Sequence, residues 1–172
     1  MKIEYVLLKE LTPYYEFGVK SLLKEADLEF VPPLSKRKSS TDKSFNFDNN
    51  DINSYYGALK SQSFILALDE GKLIGFLSYI PEHDLTLDGQ TLKCDYISTI
   101  IVSKKYRKHK VCSEMYKILF KNNKNVLVTR TWSENVAHIN ILEKFGFTNF
   151  KTIKNERGAG IDTVYFMYNN AL

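Results

Sequence analysis

An apolar run followed at once by a cluster of basic residues is the feature of this sequence that most limits its fold. Residues 92–102 (LKCDYISTIIV) predict a strand, and its last residues are hydrophobic on both faces, which is typical of a central strand covered on both sides. The basic segment 104–110 (KKYRKHK) follows, and residues 113–123 (SEMYKILFKNN) predict a helix with an apolar stripe. A buried strand, a basic loop and a helix start therefore follow one another.

This succession suits the binding of an anion. The first backbone N–H groups of a helix have no partner within it and carry a partial positive charge. The side chains of Arg107, Lys108, His109 and Lys110 add donors beside this helix start. A pyrophosphate group fits such chemistry, although lysine-rich loops are common and these residues alone equally allow a solvated basic turn.

The remaining segments predict a mixed α/β chain. A strand at 2–8 precedes a helix that begins at Pro13 with Thr12 as its N-cap, segment 30–48 predicts a loop, and 51–60 predicts a second helix. The other predicted elements are strands at 63–68, 72–80, 126–132, 147–155 and 162–168 and a helix at 135–145. The order is βαα-βββ-αβ-αββ, and we expect residues 1–172 to form one domain.

Composition and charge argue against several classes of protein. No apolar run approaches the ~20 residues that span a membrane, and the N-terminal segment does not have the pattern of a signal peptide, so we expect a cytoplasmic protein. Cys94 and Cys112 lack CxxC spacing, which argues against a disulfide framework and a metal site. Because the net charge is only +4, we expect neither nucleic acid nor a membrane as partner.

The segment IVSKKYRKHKVCSEMYKIL resembles motif A of the GNAT superfamily of N-acetyltransferases. In that motif, a valine that ends a strand precedes [Q/R]-x-x-G-x-[G/A] at a helix start. Val102 matches the valine and Arg107 the first basic position. Lys110 replaces the usual glycine and Cys112 the usual Gly or Ala. A glycine lets the backbone approach phosphates without a Cβ, so Lys110 can keep this position only if its backbone angles suit a non-glycine residue.

The segment TRTWSENVAHINILEKFGF resembles motif B of the same family, which has the form N-x-x-A-x-x-x-Y-x-x-x-G-F. Asn135, Gly146 and Phe147 match, whereas His138 replaces the alanine and Leu142 replaces the tyrosine that often protonates the departing thiolate. The chain also looks like a group of bacterial GNAT proteins with PPLS-x-R, RTWS-x-N-x-x-H and RG-x-GIDT-x-Y segments, which are all present here.

The resemblance implies a GNAT fold, a mixed sheet whose two central parallel strands splay apart, and an acetyl-CoA-dependent acyltransferase. Such an enzyme transfers the acetyl group directly to a primary amine of a small molecule or peptide. The implied cofactor-binding residues lie at the strand end, in the basic loop, at the helix start and in motif B: Ile100, Ile101, Val102, Arg107, Lys108, His109, Lys110, Val111, Cys112, Ser113, Asn135 and His138.

The catalytic residues stay open at this level. The resemblance places main-chain N–H groups near Ile100 to Val102 where they would polarise the thioester carbonyl. Since Leu142 cannot be the acid, the remaining candidates for the acid are Tyr96, Ser98, His138 and Tyr165, and those for the base are Asp95, His138 and Asp162. Each of these side chains also allows a purely structural role.

Further alternatives remain. The departures from the two motifs at Lys110 and Leu142 also allow a different function, that of a CoA-binding or regulatory domain with weak or no catalytic activity. A basic nucleic-acid module around 104–110 is a third possibility. Arg130 needs an acidic or phosphate partner if it is buried. Lys36 and Arg37 could select an acidic group on the acceptor. The acceptor itself and the choice between monomer and homodimer are not determined.

Overall fold

The predicted element order is present in the structure, a computed structural model that describes residues 2–45, 48 and 50–169. The elements are β1 (Ile3–Leu8), α1 (Pro13–Ala26), α2 (Asn53–Leu59), β2 (Ser63–Asp69), β3 (Lys72–Leu87), β4 (Gln90–Val102), α3 (Val111–Asn122), β5 (Leu127–Trp132), α4 (Val136–Lys144), β6 (Thr148–Ile153) and β7 (Thr163–Tyr168). Short 3-10 turns lie at Asp27–Glu29, Leu34–Lys36 and Lys104–Tyr106.

Within the described residues, the strands form a seven-stranded sheet in the order β1-β2-β3-β4-β5-β7-β6. The pairs β1/β2, β2/β3, β5/β7 and β6/β7 are antiparallel, and β4/β5 is parallel. The sheet is therefore mixed, which confirms the predicted α/β fold class.

The parallel pair β4/β5 is short. In the part of the chain that the structure describes, Asp95–Ile97 pair with Leu127–Thr129, and the Thr129 hydroxyl donates to the Ile97 carbonyl oxygen at 3.0 Å. β4 continues to Val102 and β5 to Trp132. The expected splaying of the two central strands beyond this pairing stays a prediction.

Packing divides the chain into two compact units. The first unit comprises Met1–Tyr79 and Ser98–Asn122, and the second comprises Ile80–Ile97 and Asn123–Leu172. The single-domain organisation expected from the sequence stays a prediction. Among the described residues, no helix is both long and apolar enough to cross a bilayer.

The core of the first unit lies beneath the two N-terminal helices. α1 begins at Pro13, and Thr12 precedes it in extended backbone as predicted, although the Thr12 side chain makes no capping hydrogen bond. Each large apolar side chain that is buried contributes about 2 kcal/mol. The shared core comprises residues of α1, α2, β2, β3 and β4: Val19, Leu22, Leu23, Ala26, Tyr55, Leu59, Phe64, Leu66, Phe76 and Ile101.

β3 is longer than the strand predicted at 72–80, which ends immediately before Pro81. β3 nevertheless runs to Leu87. Glu82 adopts φ +52° just after the proline, and its N–H donates to the buried Asp95 carboxylate at 2.8 Å. The Asp95 carboxylate therefore accepts the first backbone N–H after the proline.

Residues 27–37, which follow α1, are folded around buried polar groups. The Ser35 N–H donates to the Asp27 carboxylate at 2.7 Å. The buried Arg37 donates from Nε to the Pro32 carbonyl oxygen at 2.9 Å and lies over the Phe30 ring. Arg37 therefore stabilises the segment from within, and the suggestion that it selects an acidic acceptor finds no support in its position.

Candidate functional site

The loop before α3 contains two lysines with left-handed backbone. Lys108 and Lys110 adopt φ +68° and +60°, in the left-handed region that non-glycine residues seldom enter. The Lys110 carbonyl oxygen accepts the first helical bond, from the Glu114 N–H at 2.9 Å. Left-handed residues in such a turn let neighbouring N–H groups converge into a concavity that binds anions. Lys110 thus adopts a backbone conformation that normally favours glycine.

The basic side chains of this loop fall into two groups. Lys108, His109 and Lys110 are exposed and lie beside the helix start. Arg107 instead donates to Glu29 at 2.9 Å and to the Val102 carbonyl oxygen at 3.2 Å. The predicted role of Arg107 in phosphate binding stays a prediction, and its observed contacts hold the loop to the rest of the first unit.

The end of β4 is closely packed on β3. Ile101 is buried, whereas Ile100 and Val102 are half-buried. The Ser103 N–H donates to the Ile74 carbonyl oxygen at 2.8 Å. A Cβ on Gly75 would lie 2.9 Å from the Ile101 carbonyl oxygen, closer than real Cβ contacts. Gly75 is therefore required for the position of the strand end, and the sequence analysis did not single it out.

Ser98 belongs to a short chain of hydroxyl groups in the first unit. Its Oγ donates to the buried Ser40 Oγ at 2.5 Å and lies 3.4 Å from Thr99 Oγ1. Thr99 in turn lies 2.7 Å from the Tyr55 hydroxyl. These bonds attach the segment before α2 to β4. Ser40 was not foreseen, because its partner is distant in the sequence.

The first turn of α3 contains no activated thiol. Val111 is buried, and Cys112 and Ser113 are half-buried. Burial raises the pKa of the Cys112 thiol to about 12. A helix start beside cations can lower a thiol pKa, but desolvation prevails here. Cys112 therefore remains a neutral thiol at pH 7, which agrees with the interpretation of it as a stand-in for a small residue.

Asn135 lies at the start of α4 in the second unit. Its carbonyl oxygen accepts from the Ile139 N–H at 3.0 Å, and its side-chain Nδ2 donates to Thr131 Oγ1 at 2.9 Å. The side chain makes no capping bond to the helix. At the other end, Gly146 adopts φ +86° and the Phe147 N–H returns to the Leu142 carbonyl oxygen at 3.0 Å. Motif B thus marks both ends of α4.

Two residues of α4 depart from motif B in different ways. Leu142 is fully buried and is a core residue. Burial lowers the pKa of His138 to about 4. The imidazole is therefore neutral at pH 7 and is a weak base, and it cannot supply a proton to a leaving thiolate at that pH.

A polar cluster of the second unit includes two of the predicted acids. Tyr96 and Tyr165 are buried, and Arg130 Nη1 donates to the Tyr165 hydroxyl at 3.5 Å across the β5/β7 pair. Burial acts to lower the pKa of Arg130, but the Tyr96 and Tyr165 hydroxyls, followed by the Glu156 charge, raise it overall. Arg130 therefore carries its charge within a largely desolvated cluster.

The two aspartates proposed as bases are both engaged by donors. Asp95 is buried and accepts from the Glu82 N–H at 2.8 Å, from Asn125 at 3.1 Å and from Asn123. Asp162 accepts from the Lys154 ammonium at 2.8 Å and from the Asn155 N–H at 3.0 Å, and both bonds lower its pKa. Both carboxylates are therefore engaged as hydrogen-bond acceptors, and their predicted role as base stays a prediction.

Glu156 is a carboxylate that the sequence analysis missed. Its Oε2 is buried and has no hydrogen-bond partner. It lies next to the RG-x-GIDT-x-Y segment, whose Arg157 is buried and donates to Thr163 Oγ1 at 3.0 Å. The sequence signal that could have identified Glu156 is its position immediately before the RG-x-GIDT-x-Y segment. Of the residues that the structure describes, no group of three or more His, Cys, Asp or Glu could hold a metal ion.

Comparison with known sequences places this geometry in a family context. Residues 22–147 match the model of a family described as the acetyltransferase (GNAT) family. The match includes both the basic loop before α3 and the whole of α4. No curated protein matches the chain significantly.

Solved structures share the fold at low sequence identity. An N-acetyltransferase from Staphylococcus aureus has a TM-score of 0.68 and 13% identity, covering 97% of this chain and 99% of that one. Arabidopsis thaliana NAA60 in complex with a bisubstrate analogue has a TM-score of 0.67 and 15% identity, covering 97% of each chain. An aminoglycoside 6'-N-acetyltransferase complexed with coenzyme A has a TM-score of 0.65 and 14% identity, covering 98% and 96%.

Proposed function

Because this chain belongs to the acetyltransferase (GNAT) family, we propose that it transfers an acetyl group from acetyl-CoA directly to a primary amine of a small molecule or a peptide. The related fold of an acetyltransferase solved with coenzyme A supports acetyl-CoA as the co-substrate. The bisubstrate complex of a second similar enzyme supports direct transfer. A cytoplasmic location and a monomeric or dimeric state remain predictions.

The observation that carries the proposal is the backbone of the loop before α3. Lys108 and Lys110 have left-handed backbone immediately before the helix start, an arrangement that brings backbone N–H donors together. The exposed side chains of Lys108, His109 and Lys110 supply further donors beside them. A diphosphate is the part of coenzyme A that this donor set fits. The residues that would hold it all lie in the first unit.

Transfer to an amine also needs proton movements. A free alkylamine has a pKa near 10.4, so it must lose a proton before it attacks. Backbone N–H groups near Ile100 to Val102 would stabilise the oxyanion that develops on the thioester carbonyl. We propose Tyr96 or Tyr165 as proton donor to the thiolate, because both hydroxyl groups belong to the buried polar cluster around Arg130, whose Nη1 donates to the Tyr165 hydroxyl at 3.5 Å.

The other predicted catalytic residues carry less support. Ser98 is bonded to Ser40, His138 is neutral with a low pKa, and Asp162 is paired with Lys154. The burial of Leu142, where the family often has a tyrosine, favours the second candidate function, a domain that binds CoA with little or no catalysis.

Thiol release separates the two functions. We expect acetyl-CoA to raise the melting temperature of the protein, because a ligand that binds the folded state stabilises it. Under the first function, a panel of primary amines also releases free CoA above the rate without amine, and mass spectrometry identifies the acetylated product. Stabilisation without thiol release for any amine supports the second function. Absence of stabilisation by acetyl-CoA contradicts both.

A further inference from the structure

A cavity of about 590 Å³ lies within the first unit, between α1, the turn that joins β2 to β3, and residues 103–106. Its volume is in the range of small-molecule sites, roughly 300–1,000 Å³. Among the described residues that line it, none is a residue that we assign to coenzyme A or to proton transfer. The cavity therefore has no role in the proposed function and is a candidate for a second ligand.

The inner surface of the cavity is apolar and is formed where α1 packs on β3. Leu22 and Ile74 are buried there, and Leu73 is half-buried. A Cβ on Gly18 would lie 3.1 Å from two side-chain carbons of Leu73, so the helix approaches the strand as closely as a residue without a side chain allows. Since these contacts belong to the core of the first unit, the inner surface is present before any ligand binds.

Two aromatic side chains border the cavity although they are open to water. Tyr14 is 80% exposed and Phe17 is 84% exposed. They are three residues apart on α1 and therefore lie on the same face of the helix. The Tyr14 ring packs edge to face on Tyr15, with ring centroids 4.9 Å apart. A ligand with an aromatic ring would cover part of this apolar surface and gain ring contacts in addition.

The charges around the cavity favour an anion. Three charged residues line it: Glu25, Lys72 and Lys105. The Glu25 carboxylate already accepts from the Ser103 hydroxyl at 3.2 Å and from the Lys104 N–H at 2.7 Å. Lys72 and Lys105 are exposed, and in the part of the chain that the structure describes neither ammonium group takes part in an ion pair or a hydrogen bond. Two cations are therefore available to a ligand.

We propose that this cavity binds a small aromatic carboxylate, with its ring against Tyr14 and Phe17 and its carboxylate beside Lys72 and Lys105. A protein partner needs about 800 Å² of surface on each side, whereas the apolar surface here is concave and belongs to a few side chains. A neutral aromatic compound would leave both ammonium groups without an acceptor. The inference concerns the first unit alone and does not depend on acetyl transfer.

Nuclear magnetic resonance titration of the isotope-labelled full chain tests the proposal. Phenylacetate, hydrocinnamate and indoleacetate are each titrated beside the matching primary amide, and acetate serves as the carboxylate without a ring. We expect at least one aromatic carboxylate to shift the backbone N–H signals of Gly18, Gly71 and Ser103, and to bind about fivefold more tightly than its amide, because exposed ion pairs contribute modestly.

Three results of this titration overturn the proposal. The first is that no aromatic carboxylate shifts these three signals. The second is equal affinity of carboxylate and amide in every pair. The third is acetate that binds as tightly as the aromatic carboxylates, because the ring then contributes nothing.

A charge variant and its control locate the carboxylate. The double variant K72Q/K105Q removes both cations, and we expect the preference for carboxylate over amide to fall to about onefold. K60Q/K121Q removes two exposed lysines of the same unit that do not line the cavity and should keep the preference. A preference that survives in the first double variant, or that falls equally in the second, overturns the assignment to Lys72 and Lys105.

A second pair of variants locates the ring. Phe17→Ala should weaken binding of the aromatic carboxylate about fivefold, since it removes an aromatic contact. Leu28→Ala truncates another apolar side chain of the first unit, 85% exposed and outside the lining, and should leave the affinity unchanged. Both side chains are open to water, so both variants should fold. Unchanged affinity in F17A, or an equal loss in L28A, overturns the assignment of the ring.

Discussion

Replacing Lys110 with glycine should stabilise the protein. Lys110 adopts φ +60°, where an L-residue costs roughly 1–2 kcal/mol. Glycine removes this cost but makes the unfolded chain more flexible, which costs about 0.5–1 kcal/mol. The difference predicts a net gain of about 0.5–1 kcal/mol, or roughly 1 to 4 °C in melting temperature for a chain of this size.

Lys110→Ala is the matched control for the backbone effect. It removes the same ammonium group but keeps a Cβ, and therefore keeps the conformational cost. Thermal and urea unfolding of K110G and K110A should thus differ by the full glycine effect, with K110G the more stable. Equal stability of the two variants, or a less stable K110G, would refute the reasoning about this loop.

The same two variants report on the charge of Lys110. If its ammonium contacts the diphosphate, both should bind acetyl-CoA more weakly than the wild type and with a shallower dependence on salt. Lys121→Ala removes an exposed lysine near the other end of α3 and should leave the affinity unchanged. If K121A loses as much affinity for acetyl-CoA as K110A does, the loss reflects the net charge of the protein and not a contact of Lys110 with the diphosphate.

Three further changes test the second unit. Burial lowers the pKa of His138 to about 4, so the unfolded chain takes up a proton at a higher pH than the folded chain does. The melting temperature of the wild type should therefore fall as the pH drops from about 6.5 towards 4. His138→Gln has no group that titrates in this range at this position and should lack the contribution of His138 to that fall. Asp95→Ala leaves the buried Asn123 amide without its acceptor and should cost about 3 kcal/mol in urea unfolding, a cost that a surface aspartate would not show. Asn135→Ala loses its bond to the Thr131 hydroxyl and should cost about 1 kcal/mol while raising the KM for acetyl-CoA. Asn149→Ala loses an amide-to-hydroxyl bond of the same kind, to Thr152 at an exposed position, and should leave the KM for acetyl-CoA unchanged. A raised KM in both variants would argue against a specific role for Asn135.

The fold was predictable because its signals are local. Alternating apolar residues, Pro13 at a helix start and Gly146 at a helix end each act within a few residues, and the structure has the elements in the predicted order. The extension of β3 beyond Pro81 was not predicted, and the acceptor of the Glu82 N–H in that extension is Asp95, which is distant in the sequence.

The succession of basic loop and helix start was predictable for a related reason, whereas its role as a site stays a prediction. The basic loop and helix start are contiguous, so their association follows from the sequence alone. A left-handed backbone is rare for lysine, so the sequence shows only that Lys110 would need this conformation to replace the glycine of the motif, not that it adopts it. The hydroxyl partner of Ser98, the donors around Asp95 and the partnerless oxygen of Glu156 all arise from tertiary packing.

The central claim is that the start of α3 binds the diphosphate of coenzyme A. Calorimetric titration of the protein with coenzyme A and, separately, with pantetheine tests it, since the two share the thiol arm and only the first carries the diphosphate and the adenosine 3'-phosphate; adenosine 3'-phosphate titrated alone reports the share of that nucleotide. Coenzyme A should bind clearly, and pantetheine should bind at least about 100-fold more weakly, because several charge-assisted bonds are lost. Equal affinity for both compounds, or no affinity for coenzyme A, would contradict it.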